Sequence, residues 1–156
     1  MLEHLRARQI SLTGLLLRLA DRQLLLPNVA IAELIGYQPG QRSAGAPAWH
    51  LGFISWRQQQ VPLLGFEAAC GGLTVVGERA QIVVLNTLGD SSLRFIGLLL
   101  QDIPRSCKLD EQLSYVDVPL APLELAAVQV GDVMARVPDL EGMERLFDSS
   151  REVSSG

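Results

Sequence analysis

The chain has 156 residues, 48% hydrophobic and 19% charged, with a net charge of −4. That length fits one domain with a sizeable core, and the low charge content argues against a disordered chain. The acidic balance, with Lys108 as the one lysine and the arginines scattered, lacks the basic stripe of a nucleic-acid binder.

In chain order, Leu12–Leu19 and Gln23–Leu26 surround Ala20-Asp21-Arg22 and read as a first hairpin. Pro27 and Asn28 break the second strand, and Val29–Ile35 begins as a helical turn that Asn28 can cap. Residues 36–47, with Gly36, Pro39, Gly40, Gly45 and Pro47, form a loop.

Residues 47–66 are the most informative stretch. Trp49–Trp56 and Val61–Phe66 are β-like runs around a polar apex of Arg57, Gln58, Gln59 and Gln60. Leu51 and Phe53 point one way and Ile54 and Trp56 the other, so both faces are apolar. Such a strand either lies between two packed layers or leaves one face for a partner. Pro62 cannot donate to a ladder, which places it at a sheet edge or barrel corner. Arg57 at the apex has a planar fork able to hold a carboxylate bidentately.

Glu67–Arg79 reads as a short helix ending at Gly71-Gly72 and a link. Ala80–Leu85 and Leu93–Leu100 form a second hairpin around Asn86–Ser92. Pro104, Pro119 and Pro122 make 101–123 an irregular crossover. Ala126–Val130 and Val133–Val137 meet at Gly131-Asp132, which suits a type II′ turn. Asp139 can cap a terminal helix with Leu140, Met143, Leu146 and Phe147 on one apolar face, and residues 148–156 read as a frayed, flexible tail.

Many short, turn-bounded strands imply a mainly β sandwich or barrel. The chain lacks phosphate-loop, zinc-protease and nucleophile-elbow motifs, and its two histidines, His4 and His50, are far apart. Asp102, Asp110 and Glu111 read as solvated loop charges, and Cys70 and Cys107 as two reduced thiols. No enzyme activity, metal or cofactor is expected. No run of about 18 uncharged apolar residues exists, so no membrane insertion is expected, and residues 1–6 lack a secretory core.

Several segments together resemble the CheW-like chemotaxis adaptors. The resemblance rests on Pro47, Gly52, Ile54, Trp56-Arg57 and Val61-Pro62-Leu63, with Leu25-Leu26-Pro27 and Ile31–Ile35 upstream and Ala80–Leu85 and Phe95–Leu100 downstream. It covers residues 10–147, leaving tails at 1–9 and 148–156. It is closest to the ChpC-type variant of type IV pilus (twitching) systems, through Leu24–Asn28, Trp56-Arg57 and Asp102–Arg105.

The resemblance implies two small five-stranded β-barrels sharing an apolar seam, with a short C-terminal helix. It implies a cytoplasmic, non-catalytic adaptor, recruited to membrane-associated receptor arrays, that couples a methyl-accepting chemoreceptor's cytoplasmic tip to a CheA-like histidine kinase. Arg57, Glu33, Ile31 and Gly52 match positions through which such adaptors touch partners. Each has a plainer alternative: an exposed apex for Arg57, a surface charge for Glu33, core packing for Ile31, and a crowded corner for Gly52. The chain departs from the family pattern at Gln58, where the family has Gly, and at Gly65 and Gln101, where it has Asp. A different class, a small-ligand-binding barrel with the seam as pocket, would have Trp49 and Trp56 lining a cavity.

Overall fold

A computed structural model describes residues 13–89, 93–109 and 113–155, with side chains as far as Asp148. The expectations for residues 1–9, Leu12, Asp90–Ser92 and the loop charges Asp110 and Glu111 lie outside the described residues.

Among the described residues eleven strands form two sheets. The first has the order β8-β1-β2-β11-β10-β9, built from β1 (Thr13–Arg18), β2 (Gln23–Pro27), β8 (Arg105–Lys108), β9 (Leu113–Val116), β10 (Glu124–Val130) and β11 (Val133–Pro138). The second has the order β3-β6-β7-β5-β4, built from β3 (Ile31–Gly36), β4 (His50–Trp56), β5 (Gln59–Leu64), β6 (Gln81–Asn86) and β7 (Phe95–Leu100). Two helices complete the fold, α1 (Phe66–Ala69) and α2 (Leu140–Ser155).

Strands β1, β2, β6 and β7 are apolar on both faces because each sheet lies between two cores. A shared core takes Leu17, Leu24 and Leu26 from the first sheet, Val83, Leu85, Ile96, Leu98 and Leu100 from the second, and Met143 and Phe147 from α2. A private core inside the second sheet holds Ile54, Trp56, Val61, Leu63, Ile82, Val84 and Leu99. Leu16, Leu25, Val128 and Ala135 form the private core of the first. Strand β6 shows the division residue by residue, since Ile82 and Val84 face the private core while Val83 and Leu85 face the shared one. Each such side chain, fully buried, contributes about 1.5–3 kcal/mol of transfer free energy. The expected apolar seam is therefore the shared core.

The two early hairpins and the late one stand where the sequence placed them. At Gly131-Asp132 only Gly131 has positive φ (58°), as a type II′ turn requires. Gly71, at φ 93°, ends α1 in a Schellman motif: its N–H reaches the Ala68 carbonyl and that of Gly72 reaches Glu67. Asp139 caps α2, its Oδ1 accepting from the Gly142 N–H at 3.0 Å.

Six expectations need correction. Strand β4 is not apolar on both faces: a bulge between His50 and Phe53 sets Leu51 with Ile54 and Trp56 against the private core of the second sheet and leaves Phe53 and Ser55 exposed. Residues 101–123 contain β8 and β9, short edge strands of mostly exposed residues, so the first sheet has six strands rather than five. Pro62 lies in β5, an interior strand, but the ladder to β7 begins only at Leu63–Gly97, so no bond is lost there. The apex of the β4–β5 hairpin is Arg57-Gln58 alone, because Gln59 and Gln60 pair with Trp56 and Ser55. The helical turn is a 3-10 turn, Asn28–Ala30, that Asn28 does not cap: its flanking residue is Pro27, with no side-chain cap. Finally, α2 continues to Ser155, past the end of its apolar face.

Candidate functional site

Strands β3 and β4 are the opposite edges of the five-stranded sheet, yet they meet. The chain leaving β3 folds over β4: the Gln38 amide donates to the Ser55 carbonyl (3.1 Å) and accepts from its N–H (3.3 Å). Gln41 then pairs with Phe53 through two backbone hydrogen bonds. These contacts close the sheet on itself, and they bring Glu33 beside the β4–β5 turn.

In that turn Arg57 (φ 49°) and Gln58 (φ 64°) are both left-handed, as a type I′ turn demands. The Arg57 guanidinium rests over the Trp56 ring at 4.7 Å, a cation–π contact. Its Nη2 donates to Glu33 Oε1 at 2.8 Å, and the same oxygen accepts from the Trp56 indole N–H at 3.3 Å. The Arg57 side chain is 65% exposed and that of Glu33 40%. Glu33 Oε2 and the remaining guanidinium edges have no partner among the described residues, so the pair presents an acceptor beside a held donor. The arrangement is an oriented ion pair on an aromatic plate, open to solvent on one side.

Ile31 and Gly52 take other parts. A bulge between Ile31 and Glu33 sets Ile31 against the shared core and Ala32 against the private one. Ile31 is half-buried and is not joined to the Glu33–Arg57 pair. Gly52 is buried in a second bulge at φ 101°, where a Cβ would stand 2.6 Å from the Gln41 backbone. Its role in the fold is to let the Gln41 segment cross β4. The sequence reading left out Trp56 and Gln38; Trp56 was signalled by its place next to Arg57, while Gln38 carried no signal.

His50 is half-buried among rings: it stacks on Trp49 (5.8 Å) and meets Phe53 and Phe147 edge-on. Its Nδ1 accepts from the Gly52 N–H at 3.1 Å. Burial, together with the Arg42 charge, holds its pKa below the ordinary 6.5. Both cysteines are free, and burial pushes the Cys107 thiol up. Among the described residues no group of three or more His, Cys, Asp or Glu is placed to hold a metal, and no helix is long and apolar enough to cross a membrane.

Asp21, Arg22, Glu124 and Arg136 form a second charged cluster. Glu124, nearly buried, receives Arg22 (2.8 Å) and Arg136 (3.2 Å) and the Ala121 N–H. The bidentate Arg22 contact holds the Asp21 carboxyl below its ordinary range. Arg22 also lies over the Phe66 ring at 5.3 Å, and buried Glu67 accepts the Ala20 N–H at 2.9 Å. These contacts tie the β1–β2 turn to α1, so they join the two sheets.

Comparison with known proteins agrees with this architecture. A family profile described as CheW-like domain matches residues 13–146. Among solved structures, the crystal structure of scaffolding protein TtCheW from Thermoanaerobacter tengcongensis is similar, with a TM-score of 0.70 and 16% identity over 83% of this chain and 84% of that one. Among curated proteins, none has a matching sequence. With the profile spanning most of its length and two sheets folded around a shared core, the chain belongs to the CheW-like domain family.

Proposed function

We propose that this chain is a non-catalytic chemosensory adaptor coupling the cytoplasmic tip of a methyl-accepting chemoreceptor to a CheA-like histidine kinase. The observation that carries the reading is the Glu33–Arg57 pair, held over Trp56 at an exposed turn of a CheW-like domain. An Arg on an aromatic support loses little freedom on binding and is a typical interface anchor. Ile31 and Gly52 serve the same face indirectly, by setting the two bulges that bring β3 and β4 together. The adaptor acts in the cytoplasm and reaches the membrane only through receptor arrays.

The finer assignment is to a type IV pilus chemosensory system with a twitching output. Its support is the ChpC-type likeness at Leu24–Asn28, Trp56-Arg57 and Asp102–Arg105. The ligand-barrel alternative has no such support: Trp56 packs on Phe95 and Trp49 on Phe147, both edge-to-face.

The test is capture of a purified CheA-like kinase and of a receptor cytoplasmic fragment from the same genome. Wild-type chain binds both, and Arg57→Ala weakens capture about tenfold, a loss near 1.4 kcal/mol, without unfolding. Affinity of the variant for both partners unchanged from wild type removes Arg57 from the interface. Failure of wild type to bind either one sinks the adaptor reading.

A further inference from the structure

The segment Leu73–Gly77 follows α1 and belongs to no helix or strand. It is nonetheless pinned at four points. The Thr74 hydroxyl accepts the Ala68 N–H (3.0 Å) and donates to buried Glu67 (3.2 Å). The Gln101 amide donates to the Val75 carbonyl (2.7 Å) and accepts the Gly77 N–H (2.9 Å). Beyond the segment, Arg79 reaches Asp102 at 3.4 Å. Gly65 leaves the room this needs, since a Cβ there would stand 2.6 Å from the Thr74 hydroxyl.

What this pinning presents is apolar. Leu73, Val75, Val76 and, next to Asp102, Ile103 are between 49% and 76% exposed. Apart from the Val75 carbonyl, the backbone of residues 73–76 makes no hydrogen bond among the described residues. An anchored, β-branched, exposed segment with free backbone groups is suited to receive another extended chain. Two exposed arginines, Arg18 and Arg79, stand beside the segment on either side of the Asp102 carboxylate. Arg18 and Arg79 share one carboxylate, each at 3.4 Å, so both keep donors to spare.

We propose that Leu73–Gly77 with Ile103 is a second docking face, separate from Arg57, that receives an extended partner segment carrying an acidic residue beside apolar ones. Backbone pairing supplies the register, Val75 and Val76 the apolar contact, and the arginines the selection for a carboxylate. Gln101 is a positioning residue: it touches the segment rather than the guest.

The test uses the intact chain as bait for a random-peptide phage library, followed by amide chemical-shift mapping of the enriched peptides. Enriched peptides carry Asp or Glu next to β-branched residues and shift the amides of residues 73–77 and Ile103. Val75→Asp, at an exposed position, lowers their affinity at least about tenfold, and so does the double variant Arg18→Glu with Arg79→Glu. Gln101→Ala weakens them while leaving the thermal midpoint near that of wild type. Arg57→Ala binds them as wild type does, which keeps this result distinct from the adaptor test. No enrichment over an empty selection, peptides without acidic bias, or undiminished binding to Val75→Asp overturns the proposal.

Discussion

Glu33 lies on edge strand β3 and Arg57 in the turn that follows the opposite edge strand β4, yet their side chains meet at 2.8 Å because the sheet closes through Gln38 and Gln41. The pair is exposed, so its direct contribution to stability is small, about 0.2–1 kcal/mol. A double-mutant cycle of Glu33→Ala and Arg57→Ala, read by urea unfolding, returns a coupling in that range that shrinks with added salt. A coupling of several kcal/mol would make the pair a structural clamp and weaken its case as an interface.

Gln58 carries φ 64° where the related pattern has Gly. A left-handed residue with a Cβ costs about 1 kcal/mol relative to Gly, partly offset by the larger chain entropy of Gly when unfolded. Gln58→Gly therefore raises stability by a few tenths to about 1 kcal/mol, seen as a higher thermal midpoint. A lower midpoint would show that the Gln58 side chain makes a contact worth more than the strain.

Gly52 meets the opposite condition. At φ 101°, with the Gln41 backbone 2.6 Å from any Cβ, there is no flexible neighbour to give way. Gly52→Ala should cost about 2 kcal/mol or more and expose the Gln41 and Phe53 amides to hydrogen exchange. Unchanged stability with lost partner capture would instead place Gly52 in direct contact with a partner.

The sequence made the hairpins legible through local chemistry: Gly131-Asp132 at a turn, Gly71-Gly72 after a short helix, Asp139 before an apolar face. Two-sided burial was expected of Trp49–Trp56 and fails there. The bulge at Gly52 turns Leu51 to the side of Ile54 and Trp56 and leaves Phe53 exposed, a shift that no alternation rule foresees. Strands β8 and β9 escaped notice because each is only four residues long and mostly exposed, too short for a period to stand out between Pro104 and Pro119. Pro62 misled because being interior is a property of a strand, whereas bonding to both neighbours is a property of each residue. Glu33 and Arg57 were singled out by resemblance, but their meeting was invisible: closure depends on Gln38 and Gln41, inside a loop with no periodic pattern.

The Glu124 cluster gives a prediction of larger size. Its side chain is 3% exposed and its partners Arg22 and Arg136 are 15% and 18% exposed, so solvent screens them poorly. Glu124→Ala leaves the largely buried Arg136 without a carboxylate among the described residues and Arg22 with Asp21 alone, and costs about 3 kcal/mol in urea unfolding. The Arg18–Asp102 pair is the control: Arg18 is 52% exposed and Asp102→Asn keeps an acceptor for the Ile103 N–H, so that variant should cost less than about 1 kcal/mol. Similar losses in the two variants would mean that the cluster is better solvated than its burial implies.

His50 sets the last expectation, on pH. Its neutral form is favoured in the fold, because the ring is packed among Trp49, Phe53 and Phe147, Nδ1 accepts a hydrogen bond, and Arg42 is nearby. The folded pKa thus lies below the ordinary 6.5, and between the two values the unfolded chain binds more protons. Stability is full above 6.5, falls as pH drops through that window, and levels off below the folded pKa. His50→Asn keeps an acceptor for the Gly52 N–H while removing the titration, so its stability should stay flat where that of wild type declines. Parallel curves for the two proteins from pH 7.5 to pH 5.5 would take the pH dependence away from His50.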